Sequence, residues 1–317
     1  MRLPKAGKFA SERIFAVAAL AIAVASPAGA QKHFVREAPA FRSNSTLVVV
    51  PVTVMDRHGA IVNGLAGNAF TLTENGVPQP IKSFSEDDAP VSLGVVLDLS
   101  GSMKGVLSAA KESLRTMMKD ANPDDELFLN GVSTQPRAYS GFEDGIEESM
   151  RRVESEQAEG YTALIDTIYG SVQELRSGAH PRKALVVISD GMDNHSRYTR
   201  EELLRLAVES DAQIYTIATV ASPNPVQAPK PLVRTEAQRG LAFLDELATR
   251  TGGISFVVSN GTEIAQAAAR IDQALRNQYV IGYVPRDDQA SGQWRKIRVK
   301  VAGSGMRAYA RTGYRLD

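Results

Sequence analysis

The stretch VSLGVVLDLSGSM, residues 91–103, decides the fold. Its first seven residues, 91–97, form a near-continuous apolar run, the composition of a strand buried on both faces. The run ends in Asp98. Ser100, Gly101 and Ser102 follow, and then Met103, Val106, Leu107, Ala110, Leu114, Met117 and Met118 recur at helical spacing. Strand, polar turn and helix in that order are the opening of an α/β unit.

The same alternation continues downstream. Strands are expected at 126–132, 184–189, 212–220 and 254–258, and helices near 163–176, 200–209, 238–250 and 263–277. Thr199 with Glu202 forms a capping box, and Thr262 is placed to cap the last helix. Strands and helices in succession imply a doubly wound, Rossmann-like α/β domain over 89–277, with a mostly parallel sheet covered on both faces. Four prolines between 223 and 231 mark a long surface loop within it.

On either side the pattern is β-only. TLVVVPVTV (46–54) reads as a strand in which Pro51 argues for an edge or a bulge. FTLTENGVPQPIKSF (70–84) reads as two strands around an Asn75-Gly76 hairpin turn. QYVIGYV (278–284), QWRKIRVKV (293–301) and MRAYARTGY (306–314) are β-rich as well. Neither flank holds enough apolar surface for its own core. The N-terminal segment 31–88 and the C-terminal segment 278–317 are therefore expected to form one smaller all-β domain, the latter pairing with 46–84.

Residues 1–30 have the plan of a signal peptide. Arg2, Lys5, Lys8 and Arg13 precede the apolar run 14–25, and Ala28-Gly29-Ala30 makes a small-x-small cleavage site. Twelve apolar residues are too few to span about 30 Å of hydrocarbon. The chain has no cysteine, which excludes disulfides, thiolate metal sites, Cys nucleophiles and a lipoprotein anchor. The expected product is exported, periplasmic or secreted, with no membrane span after cleavage. The whole chain balances 36 basic against 36 acidic residues. Without its first thirty it keeps 32 against 35, which argues against nucleic acid as a partner.

The candidate chemistry sits where strands end. Asp98-x-Ser100-x-Ser102 follows the first buried strand, Thr162 opens a helix, and Asp190 follows ALVVIS (184–189). Singly, each has a plain structural role: Ser102 and Thr162 as helix caps, Asp190-Gly191 as a turn. Together they lie at the carboxyl edge of a doubly wound sheet, where ligands collect. Two carboxylates and three hydroxyls make an all-oxygen shell suited to Mg²⁺ or Mn²⁺ and poorly suited to Zn²⁺.

This constellation, with spacings of 64 and 28 residues, resembles the metal-ion-dependent adhesion site (MIDAS) of von Willebrand factor type A (VWA) domains. The whole chain also resembles a VWA-related family common in acidobacteria. Its marks are VPVTVMDRHGAIVNGL, AFTLTENG, SFSEDDAPVSLGVVLDLSGSM, ALVVISDGMDNHSR, ATRTGG, NQYVIGYVP and ARTGYRL, in that order. The resemblance implies a protein-binding, adhesion-type site rather than an enzyme's, with no catalytic residue. It implies Ser100, Ser102 and Thr162 as direct ligands, Asp98 and Asp190 as charges acting through water, and one position open for a partner's acidic side chain. Tyr161 stands where many VWA sequences have glycine.

Other chemistries fit less well. Ser100 occupies the place of the second aspartate of a haloacid-dehalogenase phosphatase and of the first glycine of a G-x-S-x-G elbow. The S-x-x-K match at Ser108–Lys111 falls mid-helix. His33, His58, His180 and His195 have no ligand spacing, and His195 reads as a solvated loop residue. The single Trp294 reads as a β-domain core residue. A metal-dependent hydrolase, with Glu159 as base, is the alternative function. A structural envelope component whose metal staples loops together is a third.

Overall fold

Alternation shapes the outer strands. In β1 (Val48–Met55), Val48, Val50, Val52 and Val54 are buried while Val49 is exposed. β2 (Phe70–Glu74) turns through Asn75 and Gly76, both at positive φ, into β3 (Val77–Gln79), and β4 (Ile81–Asp87) follows. The computed structural model describes residues 47–119, 121–220, 235–285 and 292–315. The leader expected over 1–30 and the proline-rich 223–231 loop lie outside the described residues.

The central unit comprises β5 (Val91–Asp98), α1 (Leu107–Lys119), β6 (Glu126–Val132), β7 (Arg137–Ser140), α2 (Ile146–Glu154), α3 (Leu164–Glu174), β8 (Arg182–Ser189), α4 (Arg200–Glu209), β9 (Gln213–Thr219), α5 (Glu236–Thr251), β10 (Ser255–Val258) and α6 (Gly261–Arg276). Its strands order as β10-β9-β8-β5-β6-β7. All neighbours are parallel except β7, which runs antiparallel to β6 at the edge. Every residue of β5 is buried, as its apolar run requires. Side chains of α1, α2 and α6 pack on one face of the sheet, and those of α3, α4 and α5 on the other.

β7 and α2 were not expected. β7 is four residues long, and α2 is crowded with Glu147, Glu148, Arg151 and Arg152, so neither shows a clear apolar period. The last helix is capped by Asn260, whose side chain accepts from Glu263 N–H, rather than by Thr262, which lies inside it. The Thr199–Glu202 capping box is present.

The flanks interleave. β11 (Gln278–Tyr283), β12 (Trp294–Val301), β13 (Arg307–Tyr309) and β14 (Gly313–Arg315) close the chain. One sheet orders as β13-β1-β11-β4 and the other as β14-β12-β2-β3, so each mixes strands from both ends. Their apolar faces meet in one core of Val50, Val52, Phe70, Leu72, Tyr279, Ile281 and Ile297, among others. The second arm of the expected 70–84 hairpin divides at Pro80: β3 stays with β2, and β4 crosses to pair with β11. Pro51 lies in a strand paired on both sides, but β13 covers only Thr53–Met55, so the edge at Pro51 is locally open. Within this core Glu74 is fully engaged. It accepts from Arg295 Nη1 at 2.9 Å, Tyr283 Oη at 2.6 Å and Tyr314 Oη at 2.8 Å. Trp294, expected in the core, is instead 42% exposed, because its register on β12 points it away from the sandwich interior that Arg295 and Ile297 enter.

Candidate metal centre

The chain leaves β5 for β6 on one side and returns later to β8 on the other. The carboxyl ends of β5 and β8 therefore flank the switch point of the sheet, where a crevice must open. Asp98 ends β5 and Asp190 follows β8, and their charges act on one another.

Asp98 is fully buried. Its Oδ1 accepts from Ser100 N–H at 2.9 Å and its Oδ2 accepts from Ser189 Oγ at 2.6 Å. Burial pushes the Asp98 carboxyl up to about 6; the bonds from Ser189 and Ser100 oppose the rise, and the negative charge of Asp190 adds to it. Ser100 Oγ and Ser102 Oγ stand 3.1 Å apart. Adjacent ligands at 2.0–2.1 Å in an octahedral shell are separated by about 2.9 Å, so this pair is spaced as two neighbouring donors would be.

The capping roles open to these hydroxyls are filled otherwise. Ser100 precedes the 3₁₀ turn Gly101–Gly105 without making a side-chain cap bond, and Ser102 lies inside that turn. Ala163, not Thr162, is the N-cap of α3, and it makes no side-chain cap bond. The first amides of α3 are instead satisfied from the loop after β8: Ile165 N–H donates to Asp193 Oδ1 at 3.1 Å, and Asp166 N–H to Ser196 Oγ at 3.0 Å. Thr162 is 4% exposed, and its backbone is clamped by the same loop. Thr162 N–H donates to Asn194 Oδ1, and Thr162 O accepts from the amides of Asn194 and His195. On its other side, Glu159 N–H donates to Leu99 O at 2.8 Å. The loop bearing Thr162 is thus held between the Asp98 and Asp190 loops.

Asp190 also makes the turn its sequence suggested, accepting from Met192 N–H at 3.0 Å. Gly191 has φ +76°, and a Cβ there would fall 2.5 Å from the backbone of Gly240 in α5. Ser189, Asp193, Asn194 and Ser196 were missed by sequence reasoning; the polar run SDGMDNHS was their signal. His195 is exposed, as expected, but its ring stacks on that of Tyr161, itself 63% exposed, with centroids 5.7 Å apart. Among the described residues no cluster of three or more His, Cys, Asp or Glu is placed to hold a metal. The donors at this crevice are two carboxylates and hydroxyls.

Residues 93–192 match the family model of the von Willebrand factor type A domain. This chain carries a VWA domain. Solved structures similar to it include an aerotolerance-related membrane protein from Bacteroides fragilis, 20% identical over 58% of this chain and 98% of that one, with a TM-score of 0.44. The vWF domain of a type V pili tip protein from Porphyromonas gingivalis is 12% identical over 59% and 95%, with a TM-score of 0.46. A von Willebrand factor type A protein from Catenulispora acidiphila is 12% identical over 87% and 74%, with a TM-score of 0.47. No curated protein matches the sequence. Among the described residues, no helix is long and apolar enough to cross a membrane.

Proposed function

We propose that this protein is an exported, cation-dependent protein-binding module. Ser100, Ser102 and Thr162 would hold Mg²⁺ or Mn²⁺, with Asp98 and Asp190 supplying the charge behind them. Bound there, the ion offers a Lewis-acidic position to an acidic side chain of a partner protein. The chain's own residues prepare the place. Ser189 and the Ser100 amide orient the Asp98 carboxylate, and the 193–196 loop fixes Thr162 while relieving it of capping.

The observation that carries this reading is the pair of hydroxyls 3.1 Å apart beside a buried carboxylate raised to about 6. A buried carboxylate next to a second one is costly unless a cation neutralises them. Export rests on the leader-like plan of residues 1–30. The test is isothermal titration of Mg²⁺ and Mn²⁺ into the protein and into Asp98→Ala/Ser100→Ala. Saturable binding lost in the variant supports the site, whereas equal binding in both removes it. Capture of a partner from envelope extract should be lost in EDTA and regained with Mg²⁺.

A further inference from the structure

A groove of about 910 Å³ lies between α4 and α5 of the VWA domain and β12 and β14 of the β-sandwich. That is the size of a ligand site. It shares no residue with the metal centre. Its floor is apolar, formed by Leu204, Val208, Ala242 and Phe243, and its wall carries Trp294.

Trp294 is the only tryptophan in the chain, and its 42% exposure is unusual for so large an apolar group. It is nonetheless fixed. Trp294 pairs with Arg315 of β14, and its indole lies on Gly313, where a Cβ would meet Cζ2 at 2.2 Å. The glycine leaves the space beside the strand that the ring occupies. An exposed ring held by backbone loses little conformational freedom when a partner covers it.

The rim is basic. Arg200, Arg205, Arg239, Arg250, Lys296 and Arg315 line it against three carboxylates, Glu201, Glu209 and Glu246. Two of those are already paired, Glu246 with Arg250 at 2.7 Å and Glu209 with Arg315 at 3.4 Å. Arg200 lies over the Phe243 ring at 5.0 Å and donates to Arg239 O. Arg239 and Lys296 make no ion pair among the described residues, and Arg205 acts on Glu202 only through its charge. A chain whose charges balance overall therefore concentrates positive charge around one anchored tryptophan. Aromatic and arginine side chains around an apolar floor are the composition of a protein-binding hot spot.

We propose that this groove docks an acidic peptide segment of a partner protein. One aromatic or branched side chain of the segment packs between Trp294 and the Phe243 floor, and its carboxylates reach Arg205, Arg239 and Lys296. Unlike the metal centre, the groove needs no cation, and it is built jointly by the VWA domain and the sandwich.

The sole tryptophan makes the test direct. The peptide EDLFED, acetylated and amidated, carries no tryptophan or tyrosine, so emission excited at 295 nm and shifted by its addition reports Trp294 above the tyrosine background. A saturable shift is expected with EDLFED and not with KKLFKK. The affinity should be unchanged by EDTA or by Asp98→Ala, and weakened at least tenfold by Arg205→Glu/Arg239→Glu. Fluorescein-labelled EDLFED, followed by anisotropy, should lose at least fivefold in affinity with Trp294→Ala. Absence of a saturable shift, or equal response to KKLFKK, overturns the proposal. So does a response confined to a single-stranded oligonucleotide or to phosphatidylglycerol vesicles. Loss of binding in EDTA would assign the peptide to the metal centre instead.

Discussion

Ser189 Oγ donates to Asp98 Oδ2 at 2.6 Å across neighbouring strands, and the same oxygen accepts from Gly191 N–H at 3.0 Å. One hydroxyl thus orients the buried carboxylate of β5 and fixes the turn after β8. Partners that orient a ligand shell commonly contribute 10- to 100-fold to metal affinity. Ser189→Ala is expected to weaken Mg²⁺ binding about 10-fold or more while the far-UV circular dichroism stays unchanged. Titration calorimetry measures it, and wild-type affinity in the variant would deny Ser189 this role.

Burial of the Asp98 carboxyl carries a cost in stability. Its carboxyl, normally near 3.8, is raised to about 6 by burial, so the folded state binds more protons than the unfolded state between those values. Metal-free protein should therefore lose stability as pH rises from about 4 through 6. Asp98→Asn should recover on the order of 2 kcal/mol at pH 7 and flatten that dependence. Urea denaturation in EDTA across pH 4–7 reads both, and a variant less stable than wild type at pH 7 would contradict the assignment.

Thr162→Val separates ligand from cap. Since Asp193 and Ser196 satisfy the first amides of α3, loss of the hydroxyl should change stability by less than about 0.5 kcal/mol. A capping threonine would cost about 1 kcal/mol. Partner capture in Mg²⁺ should fall in the same variant. Thermal melts and the pull-down together distinguish the two roles.

Gly240→Ala should reverse the usual helix preference. In a helix interior the change normally stabilises by about 1 kcal/mol. Here the new Cβ would meet the Gly191 backbone at 2.6 Å, so a loss of more than 2 kcal/mol is expected, on the order of an overpacked core. A stability gain in chemical denaturation would mean the α5–Gly191 contact is looser than described.

The flanking strands should fold only together. β1 and β4 both pair with β11, and β2 with β12, so residues 47–88 alone keep only the short β2–β3 hairpin. Nuclear magnetic resonance of an isolated 47–88 peptide should show narrow amide dispersion, restored when 278–317 is supplied. A folded 47–88 peptide would separate the flanks into independent units.

Sequence alone determined the elements whose burial is uniform or strictly periodic. The apolar run 91–97, the strands at 126–132 and 184–189 and the Thr199–Glu202 box are local signals, because propensity, period and capping act within a few residues. For Asp98, Ser100, Ser102, Thr162 and Asp190 it supplied an expectation of one shared sheet edge, since the carboxyl ends of parallel strands lie on the same side. What only the tertiary structure decided depends on contacts between distant segments. The cap of α3 comes from a loop about thirty residues downstream, which releases Thr162. Asp98 is oriented by Ser189, 91 residues away. Pro80 sends half of a hairpin arm to another sheet, and register alone places Trp294 outside and Arg295 inside. Register and long-range hydrogen bonds are settled by how whole faces pack, and a one-residue shift exchanges inside for outside.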